Sequence, residues 1–201
     1  MKSKITPSIA LMKRLFKRAD TATDRFRRKS MMACVSGCGR CCENPQVETN
    51  IAQVLPMARY LFKMGLMEEI WQKLQNPLTA VSCILYQPDP LIPGKGRCSQ
   101  YALRPLICRL FGFSARRNKQ GQASLIHCLH IKNDQPENTF STQQLINGGL
   151  KVPMFHEFSS RAESIMPENN QLMPINKAIQ KALEIVSLDS RYRSRKAAKI
   201  K

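Results

Sequence analysis

Four cysteines fall within nine positions in the stretch CVSGCGRCC, residues 34–42: Cys34, Cys38, Cys41 and Cys42. Sulfur at that density binds a metal, closes disulfides, or works as a redox or catalytic thiol. Four more follow, Cys83, Cys98, Cys108 and Cys128, so all eight cysteines lie between positions 34 and 128. Each falls in a turn-rich segment or at the end of an element, where a ligand can be aimed at a shared centre. Cysteines used as small apolar residues are more often scattered along helix faces, yet the helix-forming region 51–75 contains none. The pattern is that of a metal site. Zinc takes four tetrahedral ligands, and iron–sulfur clusters commonly use four cysteines. Eight thiols therefore suffice for two mononuclear sites, or for one cluster with thiols to spare. Adjacent Cys41 and Cys42 are awkward ligands for one ion, because neighbouring side chains diverge. One is expected to serve a first centre and the other a second centre or packing. Only Cys38 and Cys41 form a C-x2-C pair, which argues against an ordinary zinc ribbon.

Other groups surround the cysteines. His127 and His130 flank Cys128 in HCLH and are candidate nitrogen ligands, whereas His156 in MFHEF reads as a surface or packing residue. Arg104 and Arg109 frame Cys108. A thiolate-rich site is anionic, so a guanidinium beside it would neutralise charge and hydrogen-bond its sulfurs. A pair of surface arginines is the alternative.

The compartment bears on the choice. A secretory leader needs an apolar run after its basic start, and Lys13, Arg14, Lys17 and Arg18 interrupt any such run. Asp20 and Asp24 count against a mitochondrial presequence. No stretch approaches the roughly 18 uncharged apolar residues of a membrane span. A cytoplasmic location is expected, where thiols stay reduced, and this favours metal over disulfides.

The net charge of +18 is uneven. Residues 1–30 hold 10 Lys/Arg against 2 acids, and residues 176–201 hold 8 against 2. The chain thus divides into a basic N-terminal helical arm (1–30), a cysteine-cluster metal-binding domain (31–175) and a basic C-terminal helix and tail (176–201). Such arms attract nucleic acid or another polyanion, or they are solvated helices without a partner.

The elements that must position the sulfurs are mostly helices. Thr6-Pro7-Ser8 opens the first, and Leu11, Met12, Leu15 and Phe16 give it an apolar stripe for docking on the domain or lying on a membrane surface. Asn50 caps a second helix whose regular part is expected to begin near Pro56, with Gly65 as its stop. LMEEIWQKLQ is a third, ending at Asn76-Pro77. A short strand is expected at CILY, a short helix carrying Cys108 with Pro105 in its first turn, and a hairpin with its tip at 118–121. A polar stretch from Asn133 to Gln144 precedes helices near Pro153 and Pro174. The fold class is α+β: a mostly helical single domain with a small irregular β portion, organised around a cysteine-rich metal site.

CVSGCGRCC, then SCILYQPDP, GKGRCSQYALRPLICRLFGF and a later cysteine, resembles the YkgJ-like cysteine-cluster family over residues 34–130. The resemblance implies a zinc- or iron-chelating domain. Its pattern falls on Cys34, Cys38, Cys41, Cys42, Cys83, Cys98, Tyr101, Arg104, Pro105, Cys108 and Arg109, with Cys128 in the place of a further cysteine. Cys83-Ile84 and Tyr101-Ala102 depart from the Cys-Pro and the acid often found there, without removing a sulfur. The cofactor implied is zinc or iron, the latter alone or in an Fe–S cluster.

Two functional classes follow, and whether the chain is an enzyme stays open between them. One is a metal-binding protein with a closed, structural or storage-like site. The other is an Fe–S-dependent protein-modifying enzyme, by analogy with the related domains of flagellin lysine methylases. The C-x3-C-x2-C spacing of Cys34, Cys38 and Cys41 also occurs in radical S-adenosylmethionine enzymes, but the chain lacks their repeated strand–helix pattern. A redox sensor using Cys41 and Cys42 is a third use of the same thiols.

Overall fold

The computed structural model describes residues 4–44, 46–76 and 81–198, with side chains described as far as Ser190. The chain is a mostly helical α+β domain. Its first helix, α1 (Ile5–Ser30), buries Met12, Leu15, Phe16, Ala19 and Phe26 along one side. Burying a Met or Phe side chain of this kind contributes about 1.5–3 kcal/mol. Arg27, Arg28 and Lys29 occupy its last turn, where cations suit the helix dipole. The expected apolar stripe therefore docks on the domain, except for Leu11, which is 47% exposed.

The main core lies where α3 (Ile51–Lys63) packs against α1 and α9 (Ile175–Ala198), with α8 (Phe155–Ile165) against α1 and α3. Asn50 caps α3, its side chain accepting from the Gln53 amide at 3.1 Å. The helix begins at Ile51 and carries Pro56 inside it, so Pro56 does not mark its start. The cap and the burial of Ile51, Ala52, Val54 and Leu55 outweigh the one hydrogen bond that proline cannot donate. At the other end Gly65 takes φ +71, and the Leu66 amide donates back to the Leu61 carbonyl at 2.9 Å. That left-handed turn is the expected stop. It leads into α4 (Met67–Gln75), which buries Ile70 and ends at Asn76; Pro77 lies outside the described residues. Arg59 on α3 reaches Asp189 on α9 at 2.5 Å and donates to Ser190 at 3.1 Å, tying the two helices.

Among the described residues six short strands form three antiparallel pairs: β1 (Glu48–Thr49) with β6 (Met173–Pro174), β2 (Tyr86–Pro88) with β3 (Gly96–Cys98), and β4 (Ala115–Arg117) with β5 (Ala123–Leu125). The last is the expected hairpin, its tip held by the Asn118 side chain, which accepts from the amides of Gln120 and Gln122. The strand expected at CILY is displaced to Tyr86–Pro88. Cys83 and Ile84 cannot join a ladder, because their amides donate to the Cys42 carbonyl and the Asn176 side chain.

The polar stretch 133–144 is largely helical, spanned by the end of α6 (Leu129–Asp134) and by α7 (Pro136–Asn147). Its apolar period was hidden because α7 buries threonines, Thr139 and Thr142, together with Ile146. Both hydroxyls donate to backbone carbonyls, Thr139 to Gln135 and Thr142 to Ser30. A second small core of Phe26, Met32, Leu125, Ile131 and Ile146 lies under this region. No described helix is long and apolar enough to cross a membrane.

Candidate metal centre

The cysteine-rich loop is folded by its own backbone and by its neighbours. Gly37 adopts φ +67, and its carbonyl accepts from the Gly96 amide at 2.8 Å. Cys38 forms a β-bridge with Lys95, which lays the loop against the β2–β3 pair. A short helix, α2 (Arg40–Glu43), then carries Cys41 and Cys42. Tyr86 is the strut of this arrangement. Its hydroxyl donates to Glu43 at 3.1 Å, and a Cβ on Gly39 or Gly96 would stand within 2.4 Å of its ring. Both positions must therefore lack a side chain.

Three further segments bring sulfur to this place. Cys83 is anchored by the hydrogen bond from its amide to the Cys42 carbonyl, and Asn176 at the start of α9 holds its neighbours, accepting from Ile84 at 2.9 Å and donating to Ser82 at 2.8 Å. Cys98 ends β3 opposite Tyr86. Cys108 lies in α5 (Leu106–Leu110), whose first amide donates to the buried Gln53 side chain at 3.0 Å. Gln53, Asn176, Tyr86 and the two glycines position the site, and none of them carries a chemical signature that sequence reasoning would single out.

The eight cysteines are free thiols. Cys42, Cys83, Cys98 and Cys108 pack against the main core, and Cys128 against the second one. Within electrostatic reach of Cys42 are Cys41, Cys83 and Cys98; within reach of Cys108 are Cys83, Cys41 and Cys98. Cys34 instead faces Cys38, Cys128 and Cys41. The structure thus gathers Cys41, Cys42, Cys83, Cys98 and Cys108 into one neighbourhood, sets Cys34, Cys38 and Cys128 to its side, and leaves Cys41 common to both. Among the described residues, no three His, Cys, Asp or Glu side chains are gathered closely enough to hold a metal ion as they stand.

The titration of these thiols follows from burial. Desolvation pushes Cys83 up to about 11 from an ordinary 9.0 and raises Cys108 and Cys98 as well. Cys34 is exposed as a residue, but its sulfur is shielded enough to be pushed up to about 11, with Cys38 and Cys128 adding to the effect. In the adjacent pair the Cys42 thiol donates to Cys41, so Cys41 is held towards thiolate and Cys42 is held protonated. The two neighbouring side chains thus meet, where divergence was expected.

The two arginines have different roles. Arg109 is buried and its donors are spent on oxygen: it donates to the carbonyls of Arg104 at 2.7 Å and Ala102 at 2.5 Å, pairs with Asp20 of α1, and lies over the Phe16 ring. It fastens α1 to the turn before α5. Arg104 stacks on the Tyr101 ring at 3.7 Å, and its positive charge favours the thiolates of Cys41, Cys98 and Cys108. Its Nε is buried with no hydrogen-bond partner among the described residues. A guanidinium with an unused donor and a charge that acts on three thiols fits an anionic, thiolate-held metal.

The histidines lie at the margin. His127 is exposed, with its pKa lowered by desolvation and by Lys132 and Arg116, and no cysteine acts on it. His130 lines a cleft of about 380 Å3 together with Cys38, Arg40, Lys95 and Asp134. His156 is exposed on α8.

Residues 33–134 match a protein family, CxxCxxCC, whose description reads "Putative zinc- or iron-chelating domain". The chain matches no curated protein and no solved structure.

Proposed function

Since the chain belongs to the CxxCxxCC family, we propose that it binds zinc or iron through its cysteines, with Cys41, Cys42, Cys83, Cys98 and Cys108 as the principal ligand set. Cys34, Cys38 and Cys128 complete the site or hold a second ion. The observation that carries this reading is the electrostatic neighbourhood shared by five thiols from four segments, with the Arg104 charge acting on Cys41, Cys98 and Cys108. The donor set suits the group, because thiolates are preferred ligands of zinc and of iron–sulfur clusters. Bound zinc would supply a structural crosslink, and bound iron or an Fe–S cluster would supply electron transfer. The chain's own part is to hold Cys83 and Cys98 by main-chain hydrogen bonds, to neutralise thiolate charge with Arg104, and to keep water from Cys108.

The role is that of a metal-binding cysteine protein of the cytoplasm. A second reading, an Fe–S-dependent protein-modifying enzyme, is favoured by the cleft beside Cys38, since a purely structural site needs no opening for a substrate. Metal analysis, acid-labile sulfide and an absorption spectrum on protein purified without oxygen separate the two. Zinc without sulfide supports the first reading. Iron with matching sulfide, together with S-adenosylmethionine binding, supports the second.

A further inference from the structure

The α1 helix has two unlike halves. Its nine buried positions, from Ser8 to Ser30, share one side. Lys13, Arg14, Lys17, Arg18, Arg25, Arg28 and Lys29 are all exposed, and at about 3.6 residues per turn they fall on the opposite side. Among the described residues none of these seven forms an ion pair; Asp24 on the same face is paired with Arg27 at 3.8 Å, and Asp20 is taken by Arg109. Like charges this close repel one another, so a face of this kind is a cost to folding that a polyanion would relieve.

The cations form two groups, Lys13 to Arg18 and Arg25 to Lys29. Their centres are separated by about 18 Å along the axis at roughly 1.5 Å per residue. That separation bridges the major groove of B-DNA, about 12 Å wide, and brings one group to the phosphates of each rim. The major groove of A-form RNA is narrow and deep and offers no comparable span. Phe16 and Phe26 are buried, so the face has no aromatic ring on which unpaired bases would stack. Apart from Leu11, its large apolar residues are spent in the two cores, so α1 keeps no continuous apolar face to enter a lipid interface.

We propose that the outward face of α1 docks on the backbone of duplex DNA, without sequence preference. The contacts are charge–charge pairs between Lys or Arg and phosphate, which position a protein on the duplex without reading bases. This reading is independent of which metal the cysteines hold.

The test is fluorescence anisotropy of the full-length, metal-loaded chain with a short duplex of random sequence, titrated with salt. Seven phosphate contacts at about −0.9 each predict a slope of log affinity on log salt near −6, or a loss of about 5 × 10³-fold between about 50 and 200 mM salt. The combined variant Lys17→Gln, Arg18→Gln, Arg25→Gln, Arg28→Gln should reduce the slope to about −3, with metal content and helical circular dichroism unchanged. If that variant misfolds, the pair Arg18→Gln, Arg25→Gln takes one cation from each group and should reduce the slope by about 2. An unaltered slope in the variants would overturn the proposal. So would an absence of binding, or tighter binding to duplex RNA or to phosphatidylserine-containing vesicles than to duplex DNA.

Discussion

The backbone amide of Cys83 donates to the carbonyl of Cys42 at 2.8 Å. The link joins the cysteine-rich loop to the segment that leads into β2, and it uses no side-chain atom. Loss of either sulfur therefore leaves it in place. Cys42→Ser and Cys83→Ser should keep the metal-free fold while weakening metal binding by at least about 100-fold, the upper range for loss of an outer-shell partner. Chelator competition measures this. Undiminished affinity in either variant would remove that residue from the ligand set.

Arg104 should act on the same site through charge. Arg104→Gln removes the cation that favours the thiolates of Cys41, Cys98 and Cys108, and is expected to cost about 10–100-fold in metal affinity. Arg104→Lys should restore part of it, since a lysine keeps the charge but loses the planar stack on Tyr101. Equal affinity in all three proteins would make Arg104 a surface residue.

Arg109 predicts a stability effect instead. Its side chain is 3% exposed and that of Asp20 is 40% exposed, so Asp20→Ala strands a buried guanidinium that keeps only its two carbonyl partners. The expected loss is about 1–3 kcal/mol, read as a lower urea midpoint at unchanged m-value, with metal affinity of the folded protein little altered.

The pH dependence should have opposite signs with and without metal. The unfolded chain ionises Cys83 near 9.0 and the folded chain only near about 11, so between these values the folded state keeps a proton that the unfolded state has lost. The stability due to this burial is present in full below pH 9 and is lost as pH rises through about 11, by about 2–3 kcal/mol. Metal-loaded protein should instead lose its metal on acidification, because ligating thiols must be deprotonated. Metal-free stability that rises towards pH 11 would contradict the protonated burial of Cys83.

The helices were legible where chemistry marks their ends: Asn50 and Gly65 bound α3, and Pro105 precedes α5. They were illegible where polar residues replace apolar ones inside the domain, as Thr139 and Thr142 do in α7. For the site, the cysteines announced themselves by type and spacing, while their grouping did not. Grouping depends on long-range backbone contacts, such as Gly96 to Gly37 and Cys83 to Cys42, and spacing along the chain says nothing of these. The arginine pair shows the same limit. Arg104 and Arg109 flank one cysteine, yet Asp20, far off in the chain, decides which of them is drawn away.

The charge of the C-terminal segment belongs to residues 191–201, whose side chains lie outside the described residues; α1 alone supports the DNA-binding proposal.

Whether these cysteines hold a metal is read from metal content together with thiol counting on protein purified without oxygen. Zinc or iron should be present in stoichiometric amount, with Cys41, Cys42, Cys83, Cys98 and Cys108 protected from alkylation until a chelator is added. Metal-free protein in which the exposed and buried thiols react alike, with or without chelator, would contradict it.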